Sequence, residues 1–161
     1  GRVTFLDFGL IKHFTQDEML MFQSMVKAAV IDDDMDVYRR VIEDAGMLQL
    51  DAPFTTQECG EYFSHFYEPV RESRVMEWTS SYATSIVRHT FDRTSAIAQY
   101  ATVPKSFVFI QRINLGLYAL LGQLRSSGNF RRISEELWPM TNAAPSTSMG
   151  EAEAKWLASR D

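Results

Sequence analysis

Gly1-Arg2-Val3-Thr4-Phe5-Leu6-Asp7-Phe8-Gly9-Leu10-Ile11-Lys12-His13-Phe14-Thr15 is the stretch that decides the reading of this chain. Its apolar run, Val3 to Leu6, reads as a short strand that ends on an acidic residue, an aromatic and a glycine. Thr15 and Glu18 then form a capping-box pattern, with Phe14 and Met19 at hydrophobic-staple positions, so a helix is expected to start at Gln16. Strand, acid, aromatic, glycine and capped helix follow one another with only Leu10 to Phe14 between turn and cap. The chain opens without Met and inside the strand, and it reads as the C-terminal piece of a longer protein.

Working outward, the remaining pattern is helical. A second helix is expected from Asp33 or Asp34, carrying Val37, Val41, Ile42 and Ala45 inward and stopping at Gly46. Thr55 and Glu58 repeat the capping box, and the helix they start shows Cys59, Tyr62, Phe63, Phe66, Tyr67 and Val70, with Pro69 expected to end or kink it. A fourth helix is expected from about Met76 toward Phe91, with Trp78, Tyr82, Ile86 and His89 on one side. A helix or turn holds Ile97 and Tyr100. Pro104 opens a longer helix that reaches about Arg125 and is closed by Gly128 and Asn129. Phe130 to Trp138 form a short helix before Pro139, and Thr141 to Gly150 read as a flexible linker. Glu151 to Ser159 form a terminal helix with Glu151 and Lys155 at pairing distance. No strand is expected beyond Val3–Leu6. Residues 1–139 thus form one unit, and residues 140–161 a linker and short helix.

Composition bounds the function. The 161 residues are 45% hydrophobic and 23% charged, an ordinary balance for a globular domain with a sizeable core. A net charge of −5 speaks against a nucleic-acid surface, because phosphate binding needs a basic face. The one cysteine, Cys59, allows no internal disulfide and suits a reducing compartment. The longest apolar stretch, Phe107 to Leu124, contains Gln111, Arg112, Asn114 and Gln123. A central Arg costs about 2.5–3.5 kcal/mol on insertion scales. The stretch therefore reads as a buried core helix and not as a membrane span. A buried Arg112 then needs a carboxylate or a set of carbonyls as partner.

Asp7 is the candidate for chemistry. A carboxylate at a strand end is a hard oxygen ligand that can hold Mg²⁺ against nucleotide phosphates, and Gly9 lets the backbone turn sharply. The alternative is a turn in which Asp7 bonds neighbouring N–H groups. The motif by itself leaves both open. Leu6-Asp7-Phe8-Gly9-Leu10 followed at once by a helix, then Ala28-Ala29, Asp36 and Val41, and later Val103-Pro104 with Phe109-Ile110-Gln111-Arg112, resembles the C-terminal part of the AarF/UbiB family of atypical kinase-like proteins. The resemblance covers roughly residues 2 to 138.

That resemblance implies a mainly α fold: the helical C-lobe portion of a protein-kinase-like fold with one residual N-terminal β-strand. It implies Mg²⁺-dependent ATP or ADP binding and phosphoryl chemistry in the longer parent, tied to isoprenoid quinone or lipid metabolism. Asp7, with Phe8 and Gly9, matches the nucleotide and magnesium site, and Arg112 matches a recurrent structural Arg. The upstream part of the same protein would be a partner, with lipid or quinone precursors as ligands and a place in the cytoplasm or at a membrane's reducing side. The nucleotide-covering loop, strand lysine, partner glutamate and catalytic-loop Asp and Asn are not in this sequence, so the isolated chain is expected to be inactive. The five residues between Gly9 and Thr15 leave no room for a peptide-docking activation segment. A non-enzymatic alternative treats the helices as a lipid- or protein-interaction module with nucleotide as a switch.

Other groups read more plainly. Asp32, Asp34, Asp36 and Glu43 sit at calcium-loop positions, but Val37 stands where that loop needs Gly, and helix capping is the simpler account. His13, His65 and His89 lack metal-ligand spacing. Cys59 reads as a small core residue. Thr79-Ser80-Ser81 reads as a polar helix face with small residues for close packing. The methionines and the aromatic stripe of the third helix read as core, with a lipid or quinone surface as the alternative.

Overall fold

The computed structural model describes residues 11–160; the expected strand Val3–Leu6 and the residues Asp7, Phe8 and Gly9 lie outside the described residues. The described chain is mainly helical. In chain order it forms α1 (Gln16–Val26), a wide π-turn (Lys27–Ile31), α2 (Met35–Asp44), α3 (Thr56–Ser64), the short α4 (Glu68–Arg71), strand β1 (Met76–Glu77), α5 (Ser80–Phe91), a 3₁₀ turn (Ile97–Gln99), α6 (Lys105–Gln123), strand β2 (Ser127–Gly128), α7 (Phe130–Glu135) and α8 (Ser148–Ala158).

Local chemistry sets the helix starts. At both capping boxes the threonine hydroxyl accepts from the glutamate N–H at 3.2 Å, and the glutamate carboxylate accepts from the threonine N–H at 2.8 Å (Thr15–Glu18) and 2.7 Å (Thr55–Glu58). Asp34 caps α2 by accepting from Val37 N–H at 2.9 Å, and α2 ends before Gly46, which adopts φ +70°. The staple differs from its expected form. Phe14 packs edge-on against Phe22 with ring centroids 5.4 Å apart, while Met19 stays exposed. The third helix stops at Ser64, and Pro69 sits in the first turn of α4 instead of ending α3. There Pro costs no hydrogen bond.

The core gathers Met25, the π-turn residues Ala28, Ala29 and Val30, Tyr38 and Ile42 of α2, Cys59 and Phe63 of α3, and Ile97. Tyr38, absent from the expected inward set, is among its largest side chains. Cys59 is fully buried, as expected of a small core residue. Part of the aromatic stripe after Thr55 packs here as well, with Tyr38 edge-on to Phe63 and to Tyr67. A second buried group forms where α5 crosses α6. Trp78 stacks on Tyr118 at 4.7 Å, and Gly122 lies so close to α5 that a Cβ there would meet Thr79 O at 3.0 Å. The small-residue face around Thr79 and Ser80 thus does serve close packing, while Thr79 also caps α5 by accepting from Tyr82 N–H at 3.1 Å.

Three expectations about elements are corrected. The fourth helix starts at Ser80, because Met76 and Glu77 pair antiparallel with Gly128 and Ser127 as β1 and β2. Gly128 and Asn129 do not close α6: it ends at Gln123, with Leu124 as its C-cap and Arg125 following at φ +49°, and Asn129 caps α7. The linker is shorter than Thr141–Gly150. Glu136 accepts from Ser146 N–H at 2.6 Å and from Thr147 Oγ1 at 2.9 Å, and Thr147 caps α8, which starts at Ser148. Glu151 and Lys155 form no ion pair.

The largest correction concerns α6. It is not a buried core helix. Only Gly122 is buried, and Val108, Ile113, Leu117, Leu120 and the following Leu124 are exposed on its outer side. No described helix is long and apolar enough to cross a membrane.

Candidate functional site

Between α1, α3, α5 and α6 lies a cavity of about 270 Å³. That is just below the range of about 300–1,000 Å³ common for small-molecule sites, and far above the ~10–15 Å³ that one water needs. Its walls are apolar and aromatic: Phe22 and Met25 from α1, Phe63 and Phe66 from α3 and just beyond it, Ile86 from α5, and Phe107 and Leu115 from α6. Aromatic rings in its wall meet edge to face. Phe22 meets Phe107 at 4.8 Å and 83°, and Tyr62 meets Phe63 at 5.0 Å and 85°. Arg93, Thr102 and Val103, all exposed, stand at its mouth.

Polar groups converge on this apolar space. α6 contributes Gln111, Asn114 and Tyr118 on its inner side, one turn apart, so that amide, amide and phenol follow one another along the wall. None of these three side chains makes a hydrogen bond among the described residues. Tyr38 and Tyr67 add two further phenols. Burial pushes the Tyr67 phenol up to about 12. It raises Tyr38 well above its ordinary value, helped by the neighbouring Tyr67, and it raises Tyr118. All three phenols therefore stay protonated across the physiological range and present O–H donors. The site can bind and orient a molecule that is mostly apolar and carries oxygen acceptors. It contains no described nucleophile–base pair and no carboxylate.

A histidine pair packs against Tyr62 and Phe66, two residues of the cavity wall. His65 and His89 lie 4.4 Å apart between ring centroids, and His89 meets Tyr62 at 4.8 Å with the rings tilted by 43°, its Nε2 in contact with Tyr62 O at 2.9 Å. His65 Nε2 is buried without a partner. Burial, then His89, lowers the His65 pKa, while Glu68 opposes the shift. Sequence spacing gave no sign of this pair, because the two residues come from α3's end and α5.

The sequence-derived candidates fare differently. Asp7, Phe8 and Gly9 lie outside the described residues, so the magnesium and nucleotide expectation is not placed on the structure. Arg112 is exposed and makes neither ion pair nor hydrogen bond among the described residues, so the buried pair assigned to it is not formed. Its helix turns that position to the outer side, two residues from the inner Asn114. The part-buried, partnered arginine is Arg131, which donates to Val30 O at 2.8 Å and Val70 O at 3.3 Å and pairs with Glu135 at 2.6 Å. Arg39 does the same for the 52–54 turn, donating to Ala52 O at 3.1 Å and to Phe54 O, and pairing with Glu43 at 2.9 Å. The Arg39–Glu43 and Arg131–Glu135 spacings of four were the available signal.

Three of the four clustered aspartates have partners. Asp32 pairs with Lys27, Asp33 with Arg71 at 3.3 Å, and Asp34 caps α2. Among the described residues no group of three or more His, Cys, Asp or Glu could hold a metal ion. His13 is exposed. No family model, no curated protein and no solved structure matches this chain.

Proposed function

We propose that this helical unit is a binding module for a small, largely apolar molecule bearing carbonyl, ester or ether oxygens, held in the α1–α3–α5–α6 cavity. One observation carries the reading: an aromatic-walled space of about 270 Å³ faces the side chains of Gln111, Asn114 and Tyr118, which have no hydrogen-bonding partner among the described residues. Burying the ligand's apolar part contributes the affinity, at about 25 cal/mol per Å² removed from water. The phenols and amides orient its oxygen atoms, because a buried acceptor left unpaired is unfavourable. Short-chain lipids and quinone-like rings have this chemistry.

The test uses N-phenyl-1-naphthylamine, whose fluorescence rises in apolar surroundings, and its displacement by decanoic acid methyl ester or a short-chain benzoquinone. Leu115→Trp fills the cavity from its wall and should abolish dye binding, whereas Ile113→Ser on the outer side of α6 should leave it unchanged. Loss with Ile113→Ser and retention with Leu115→Trp would place the dye on the surface and end this reading.

A second reading, phosphoryl chemistry in a longer polypeptide, is supported by one spacing. The cap of α1 at Thr15 leaves only Leu10 to Phe14 after Asp7-Phe8-Gly9. That suits an atypical ATPase or a small-molecule kinase better than a peptide kinase. When bound, Mg²⁺ would neutralise charge on nucleotide phosphates, and Asp7 is the residue assigned to it. The described residues supply no further ligand set, so this chain alone should not bind Mg·ATP with a micromolar constant in calorimetry. Loss of ATP turnover on Asp7→Asn in the longer protein is the outcome this second reading requires.

A further inference from the structure

We propose that two copies of this chain exchange their α8 helices, each α8 lying on the outer side of the other copy's α6. The inference is independent of what the cavity binds.

Two unpartnered surfaces carry it. The outer side of α6 is a bare apolar strip: Val108, Ile113, Leu117, Leu120 and Leu124 are 41–74% exposed. Gly116 lies within it, with nothing within 4 Å of where a Cβ would be. The other surface is α8. From Glu151 to Arg160 every residue is exposed, including Trp156 at 55% and Leu157 at 52%, and Met149 in its first turn is 76% exposed. An isolated helix of 11 residues is marginal in water, and Glu136 holds only its first turn. α8 needs a surface, and it does not lie on its own α6.

Charge selects the partner. Between Lys105 and Gln123, α6 has no acidic residue and shows exposed Lys105 and Arg112. α8 offers Glu151 and Glu153 in its first half. Laid parallel, the two ridges match at steps of four residues: Met149 meets Val108, Glu153 meets Arg112, and Leu157 meets Gly116, with Trp156 beside the space that Gly116 leaves. Exchange in both directions closes as a two-fold dimer and covers the strip from Val108 to Leu117.

Charge reversal tests this on the full 161-residue chain by sedimentation velocity. The wild-type chain should show a concentration-dependent dimer. Arg112→Glu and Glu153→Arg should each weaken self-association roughly tenfold or more, because each sets like charges together. An equimolar mixture of the two variants should restore the dimer, since each α6 then meets an oppositely charged α8. Circular dichroism verifies that both variants fold, and both positions are exposed. A wild-type chain that stays monomeric at 100 µM or more, variants that dimerise as the wild type does, or a mixture that stays monomeric would each overturn the proposal. Monomers whose Trp156 is shielded from iodide would show instead that α8 folds onto its own α6, and would overturn it too.

Discussion

Replacing Arg131 with Met should cost about 3 kcal/mol of stability. Its side chain is 13% exposed and joins three segments: the π-turn through Val30 O, α4 through Val70 O, and its own helix through Glu135. A hydrogen bond from a charged donor contributes about 1.5–3 kcal/mol, and the 2.8 Å bond to the carbonyl of buried Val30 belongs at the upper end. The 3.3 Å bond to Val70 O is weaker. The part-exposed pair with Glu135 adds about 0.3–0.5 kcal/mol, and the guanidinium over Trp138 at 5.5 Å about 0.5–1. These contributions share one group and do not sum. Met keeps the aliphatic packing, so the loss isolates the charge and its bonds. Urea unfolding followed by far-ultraviolet circular dichroism should show a lower midpoint at unchanged slope, and the melting temperature should fall by roughly 6–12 °C. Arg112→Met is the control and should change stability by no more than about 0.5 kcal/mol, because its side chain is exposed and has no partner among the described residues. A loss below about 1 kcal/mol at Arg131, or an equal loss at Arg112, would refute the assignment of the buried role.

Two glycines of α6 should respond with opposite signs: Gly122→Val should cost about 1–3 kcal/mol, because its Cβ meets the backbone of Thr79 at 3.0 Å, while Gly116→Ala in dilute protein should gain about 0.5–1 kcal/mol. Stability should fall on acidification below about pH 6.5, where the unfolded chain takes up a proton that buried His65 resists, and it should level off below the depressed folded value; His65→Phe should flatten that slope in urea titrations at stepped pH. Absorbance titration at 295 nm should leave Tyr67 largely un-ionised at pH 11, and Tyr67→Phe should remove one of the late-titrating groups.

Much of the fold was written locally. The Thr15–Glu18 and Thr55–Glu58 boxes, Asp34 before α2, Gly46 after it and Pro104 before α6 each act over three or four residues, and each stands where the sequence pattern placed it. What escaped reading depends on distant partners. β1 and β2 are two residues each and pair across some fifty positions, with no alternation to announce them. The apolar richness of α6 suggested burial, yet hydropathy says only that a residue prefers to be covered, not that this chain covers it. Arg112 and Arg131 look alike in sequence; only the folding of residues 27–31 and 68–71 around α7 decides which one is enclosed. The cavity was half legible: the aromatic stripe was visible, but its meeting with Gln111, Asn114 and Tyr118 required α6 to be placed.

The wide turn at Lys27–Ile31 gives the molecule a one-residue surplus. Asp32 N–H reaches back to Lys27 O at 2.8 Å and Asp34 N–H to Ala28 O at 2.9 Å, longer loops than an α-helix closes. The surplus falls where Ala28, Ala29 and Val30 are buried in succession, a run that an ordinary helix would spread over about 200° of its circumference. Excising Ala28 or Ala29 should let the segment rewind to ordinary pitch, swing Val30 through about 100°, and pull its carbonyl out of reach of the guanidinium. A single-codon deletion here would therefore unlatch α7 from the opposite end of the chain, though no residue of α7 had changed.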